Sequence, residues 1–182
     1  MKRLRPAWSP AQLRQLYPAP HDHSQWPDHV QRVDATIALA RKLGPMGTGA
    51  DLSCGSGAVL AGLDIQVRHY GDLATGYQYT GPIERTLTEI PDVDVFVNTE
   101  TLEHLDDPAA VLAAIRAKAG HLVLSTPVDN WTDRNLEHYW AWSATDVERL
   151  IAAAGFEVVD AEVLDFRHLG PHFYAFGIWT CR

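Results

Sequence analysis

From about residue 47 onward, stretches that suit buried strands alternate with amphipathic helical stretches until the pattern breaks near the end. There "FEVVDAEVLDF" (156–166) and "HFYAFGIWTC" (172–181) follow one another with no helix between them. Parallel neighbours need a long crossover, usually a helix, whereas antiparallel neighbours need only a turn. The chain is therefore expected to form an α/β fold, a mainly parallel sheet covered by helices on both faces with a C-terminal hairpin that adds one antiparallel strand. With 182 residues and no break in composition, it reads as a single domain, 1–182: an N-terminal helical segment at 1–45 and an α/β core at 46–182.

Punctuation places the elements. Ser9-Pro10 starts a short helix, and a longer one is expected over about 27–43, with Val30, Val33, Ile37 and Ala40 on one face and Gly44 beyond its end. Strands are expected at about 48–52, through "IQVRHYGDL" to Asp72, near "YQYTGPI", at 92–98 and in "HLVLSTPV", the last stopped by Pro127. Asp107 and Pro108 open one further helix, and Ser143 with Asp146 caps another that Gly155 ends.

The stretch "DLSCGSG" (51–57) ends the first core strand with residues too small to fill a core. In open α/β sheets ligands sit beyond the carboxyl ends of the strands, so this turn lies at the ligand end. A phosphate-cradling loop of the nucleotide triphosphatase type needs Gly-Lys and then Ser or Thr, but Ala58 and Val59 follow Gly57. A dinucleotide fingerprint needs a third glycine where Leu60 stands. What remains is a loop packing against an uncharged ligand part, with Asp51 as acceptor for something cationic.

These residues resemble the first motif of class I S-adenosylmethionine-dependent methyltransferases, with Ser53 in place of the first glycine. "VFVNTETLEHLDDPAAVLAAIRAKAGHLVLSTPV" is similar to the family's fourth strand, acidic turn, helix and fifth strand, and "EHYWAWSATDVERLIAAAGFEVV" to the segment that follows. The matches run in order over roughly 47–165. The resemblance implies a Rossmann-like three-layer α/β/α sandwich, with S-adenosylmethionine as cofactor and S-adenosylhomocysteine as product. It implies backbone approach at Ser53, Cys54, Gly55 and Gly57, Asp51 near the methionine end and Asp72 on the ribose hydroxyls. Asn98, Thr99 and Glu100 would lie beside the sulfonium, and Leu102 near the adenine. It also implies that segment 1–45 covers the cleft. Two departures stand out: only "LATGYQY" replaces the helix usual after Asp72, and Pro82 stands where an adenine-binding acid is common.

A hydroxyl acceptor needs a base within hydrogen-bond reach. His138, in the loop after the fifth strand, and His104, in the turn after the fourth, are the candidates. His21, Trp26, Tyr139 and Trp140 are expected at the substrate, in the N-terminal segment and the aromatic loop that also holds Trp131 and Trp142. No metal site is expected: His21 and His23 lack spaced partners, and Cys54 and Cys181 form no cluster.

The formal charge of −8 argues against nucleic acid or anionic membrane as partner and for a small-molecule methyl acceptor, at oxygen or nitrogen. The start "MKRLRPAWSP" has no apolar run behind it, so cytoplasmic location is the default. Oligomeric state stays open, a homodimer included. The rivals to a methyltransferase are a protein that keeps the fold without catalysis, a nucleic-acid methyltransferase and an NAD-dependent dehydrogenase.

Overall fold

The computed structural model describes residues 1–19 and 25–182. In chain order the elements are β1 (Lys2–Arg3), α1 (Pro10–Leu16), α2 (Pro27–Ala40), β2 (Met46–Asp51), α3 (Ala58–Ala61), β3 (Ile65–Asp72), β4 (Tyr79–Thr80) and α4 (Ile83–Thr86). Then come β5 (Val93–Thr99), α5 (Pro108–Arg116), β6 (Ala119–Val128), β7 (Trp140–Ala141), α6 (Ala144–Ala153), β8 (Val158–Asp165) and β9 (Ala175–Cys181).

Seven strands form one sheet in the order β4-β3-β2-β5-β6-β9-β8. The pairs from β4 to β6 are parallel, and β9 runs antiparallel to both β6 and β8. The expected hairpin is therefore present, with its reversed strand inserted between β6 and β8. Because β3 lies on one side of β2 and β5 on the other, the strand order reverses beside β2, which opens a crevice at the carboxyl ends of β2 and β5.

Alternation along β5 shows why both faces must be covered. Phe96 points into a cluster with Leu112, Ile115, Trp142, Val147, Ile151 and Trp179, under α4, α5 and α6. Val95 and Val97 point the other way, to Val59, Leu60 and Ala40 under α2 and α3. Each side chain is removed from water on its own face, the burial that dominates folding.

The helix starts follow their capping chemistry. Ser9 and Gln12 form a capping box, as do Ser143 and Asp146, and Asp107 accepts from the Ala110 amide. The connection from β3 to β4 is a loop, as its length requires. Two expectations are corrected. Of the expected face of α2, Val33, Ile37 and Ala40 do pack on the cluster under α2 and α3, but Val30 is exposed and the most buried residues include Arg32, Thr36 and Leu39, because Arg32 finds polar partners at the sheet end. Pro127 does not stop β6, which continues to Val128. Beyond Ser125 only β9 still runs alongside, so the missing amide breaks no ladder to β5.

Residues 1–8 are fastened to the loop after β6. β1 pairs with β7, the Leu4 amide donates to the Tyr139 carbonyl at 2.8 Å, and the Arg5 guanidinium donates to the Asp133 carbonyl at 2.7 Å. Among the described residues no helix is long and apolar enough to cross a membrane.

Candidate functional site

At the end of β2 the chain turns through two left-handed glycines, Gly55 at φ 50° and Gly57 at φ 73°. A side chain at Gly57 would meet the Tyr70 ring at 2.9 Å, whereas at Gly55 it would meet nothing within 4 Å. Gly57 is thus required by packing, while Gly55 borders open space where another molecule can approach the backbone. The Gly55 amide donates to Asp72 Oδ2 at 2.9 Å and the Ala74 amide to Asp72 Oδ1 at 2.9 Å. Asp72 therefore holds the turn, and each of its oxygens keeps a lone pair for a further donor. Cys54 donates its amide to the Gly71 carbonyl, which ties the turn to β3.

Asp51 is buried at 2% exposure and accepts one hydrogen bond, from the Ser53 amide at 3.1 Å. Burial pushes its pKa up to about 7, against that hydrogen bond, and Asp72 adds to the rise. Asn98 is fully buried, and neither atom of its amide has a hydrogen-bond partner. Glu100 has a strained left-handed backbone, φ 52°; its carboxylate accepts from Ser125 Oγ at 2.9 Å and faces Arg32 Nε at 3.7 Å. Thr99 accepts from Thr101 Oγ1 through its carbonyl, and Thr101 Oγ1 also lies 2.7 Å from Ser53 Oγ. Leu102 is fully buried. A closed turn, an underpaired carboxylate and an orphaned amide so gather where β2, β3 and β5 end. They fit a ligand with a hydroxylated ring and a cationic end.

A second cluster joins the turn after β5 to the loop after β6. His138 Nδ1 is 2.6 Å from Asp133 Oδ2, and the Asp133 carboxylate also accepts from Asn130, the Asn135 amide and Tyr174. Burial opposes charge on Asp133, but His138 and the other donors outweigh it and hold its pKa at about 2. Burial likewise opposes charge on His138, yet Asp133 and Glu103 raise its pKa above the usual value. The His104 ring meets the His138 ring edge-on, with centroids 4.9 Å apart. Its pKa falls to about 3 through burial and then His138, although the side chain keeps 23% exposure. Glu103 is pushed up to about 8, first by burial and then by Glu100. One ligand-type atom from each of Glu103, His104 and His138 lies within 4.8 Å of the others.

The structure brings together Asp51, Ser53, Cys54, Gly55, Gly57 and Asp72 at one end of the crevice, and His104 with His138 at the other cluster. Tyr139 and Trp140, expected at the substrate, both engage residues 1–8 or the turn after β5. Tyr139 is 2% exposed and its hydroxyl accepts from the Trp8 amide, while Trp140 bonds the Leu105 carbonyl and lies under Arg3. The loop that carries them folds inward under residues 1–8. Trp142 is core and Trp131 is exposed. Trp26 is half-exposed just ahead of α2, and His21 and His23 lie outside the described residues. Asp133, Glu103 and Arg32 are the polar residues that sequence reasoning passed over. A cavity of about 230 Å³ lined by Leu43, Met46, Leu63 and Ile65 lies at the opposite end of the strands, away from these groups.

Residues 21–161 match the family described as "Methyltransferase domain". No curated protein sequence matches the chain. Among solved structures, 1,6-didemethyltoxoflavin-N1-methyltransferase from Burkholderia thailandensis, with S-adenosylhomocysteine bound, superposes with a TM-score of 0.69 at 18% identity, covering 98% of this chain and 92% of that one. The N-methyltransferase NodS from Bradyrhizobium japonicum WM9, also with S-adenosylhomocysteine, gives 0.69 at 16%, covering 94% and 96%. The [4+2]-cyclase SpnF gives 0.73 at 14%, covering 100% and 98%. At these identities the structures speak for the fold, and the matched domain speaks for the family: the chain belongs to the methyltransferase-domain family and has the fold of class I S-adenosylmethionine-dependent methyltransferases.

Proposed function

We propose that the protein transfers a methyl group from S-adenosylmethionine to a hydroxyl oxygen or an amine nitrogen of a small molecule. The observation that carries this reading is the turn held by Asp72, with its open face at Gly55 and the buried Asp51 beside it. Asp72 would receive the ribose hydroxyls on its spare lone pairs, and the backbone of Ser53, Cys54, Gly55 and Gly57 would border the sugar and methionine. Asp51 would pair the ammonium group, which would return a desolvated carboxylate to its charged form. Asn98, Thr99, Glu100 and Leu102 would line the remainder.

The bound cofactor supplies an electrophilic methyl carbon, so this chain's residues have to align the acceptor, exclude water and accept a proton. His138 suits the last task. Asp133 fixes its ring and would stabilise the imidazolium formed on proton uptake. His104 and Tyr174 pack on that ring and limit its motion. The net charge of −8 favours a small, uncharged or cationic acceptor over a nucleic acid.

The test is formation of S-adenosylhomocysteine from S-adenosylmethionine over a panel of phenols, aliphatic alcohols, amines and ribonucleosides. Acceptor-dependent product is expected, reduced on the order of 100-fold in Asp133→Asn with cofactor affinity unchanged. Cofactor binding without turnover on any class would contradict the reading and leave a binding protein. The cyclase among the structural neighbours shows that this fold also occurs in an enzyme named for a different reaction.

A further inference from the structure

We propose that Glu103, His104 and His138 form a site for one divalent first-row transition ion of the zinc type, and that a hydroxyl oxygen of the acceptor completes its coordination. The second half rests on the methyltransferase reading; the first half does not.

Two imidazoles and one carboxylate are a donor set that suits such an ion and leaves coordination positions open. The three ligand-type atoms lie within 4.8 Å of one another, and Glu103 Oε1 is 3.6 Å from His104 Nε2. Ligands about 2.1 Å from a shared ion stand roughly 3–4 Å apart, so Glu103 Oε1 and His104 Nε2 are already spaced for one, and an ion between them would draw the His138 nitrogen into its shell.

Pairing within the protein leaves the cluster unfinished. Glu103 is fully buried; its Oε2 accepts from Thr126 Oγ1 at 3.0 Å, while Oε1 has no hydrogen-bond partner. A buried carboxylate oxygen left without a donor is costly, and a cation removes that cost. His104 Nδ1 also lacks a bond of normal geometry, although the Glu137 backbone stands beside it, which leaves Nε2 to face Glu103. His138 presents Nδ1 to Asp133, the arrangement in which a carboxylate orients a metal-bound imidazole and frees Nε2 for the ion. Nε2 now faces Asn135 Nδ2 at 3.1 Å, and the ion would displace that amide. Tyr174 and Asn130 hold Asp133 in turn. Packing alone explains the rings, but not an acid oxygen buried without a partner.

The site makes a chemical choice between acceptors. An amine binds an ion through the lone pair it needs for attack and is silenced. With the ion bound, His138 is a ligand and not the base: a hydroxyl on the ion loses its proton to water and keeps lone pairs on oxygen. That oxygen forms the new O–C bond as the C–S bond breaks and its electron pair stays on sulfur, giving methyl ether, thioether and one proton from alcohol and sulfonium. The substrate class is therefore hydroxylated small molecules.

The experiment titrates Co²⁺ into the full-length, metal-stripped protein, following visible absorption, with Zn²⁺ as competitor. One saturable site is expected, displaced by Zn²⁺. It should be weakened at least about 10-fold in each of Glu103→Gln, His104→Gln and His138→Gln, and to a similar extent in Asp133→Asn. Asp94→Asn, at the opposite end of the sheet, should bind Co²⁺ like the parent. Circular dichroism and S-adenosylhomocysteine titration of each variant separate loss of the site from loss of the fold. No saturable absorption, or a site unchanged in all three ligand variants, overturns the proposal. Failure of methyl transfer with Co²⁺ still bound would overturn the methyltransferase reading alone.

Discussion

Asp51 concentrates the tension of the site in one side chain. Its pKa of about 7 against an ordinary 3.8 means that the folded state binds more protons than the unfolded state between these values. Stability from this group is therefore present at low pH and lost as pH rises toward 7. Asp51→Asn keeps the Ser53 hydrogen bond and removes the titration. Its stability advantage over the parent is expected to open between about pH 4 and pH 7 by on the order of 2–4 kcal/mol and then stay level, read from urea melts across pH. An advantage independent of pH would contradict the desolvation account. The glycine turn that follows Asp51 was legible because small residues after a strand have few uses. Glu103 was not, because nothing in "LEHLDD" says that Glu103 turns inward while Asp106 and Asp107 stay outside. Nor was Asp133, which meets His138 through the fold of an irregular loop that has no period to read.

At the scale of elements, patterning worked where one face is apolar and failed where polar partners decide. β5, α5 and α6 follow their stripes and caps, so their places could be read directly. In α2 the apolar stripe of Val33, Ile37 and Ala40 packs as expected, but the buried face also takes in Arg32, whose guanidinium reaches Ser125 and Glu100 and lies 5.4 Å from the centroid of the Phe176 ring. Those partners come from β6, the turn after β5 and β9, which no window of helical periodicity contains. β9 offers a test of element packing. The Trp179 indole lies over Gly177, and a methyl there would come within 2.0 Å of it. Gly177→Ala should destabilise the protein by about 2–3 kcal/mol in urea unfolding, since the indole is walled in by the core. A cost near zero would mean that Trp179 has room to swing away.

For the whole molecule, the parallel sheet places two acid-rich ends in opposite positions. At the carboxyl end Asp72 clamps the turn of β2 through the Gly55 and Ala74 amides. At the amino end Asp94 clamps the start of β2 in the same manner, accepting from the Gly47 and Thr48 amides at 2.8 and 2.9 Å. Strand order, which reverses beside β2, makes the first of these the end where open α/β sheets hold ligands. The comparison of these two clamps isolates the site from the scaffold, because each substitution removes a carboxylate that binds backbone. The most direct measurement is calorimetric titration of S-adenosylhomocysteine into the parent, Asp72→Asn and Asp94→Asn. Saturable one-to-one binding is expected, weakened at least about 10-fold by Asp72→Asn through the lost acceptors and unchanged by Asp94→Asn. No binding by the parent, or equal loss in both variants, would contradict a cofactor site at the carboxyl end of the sheet.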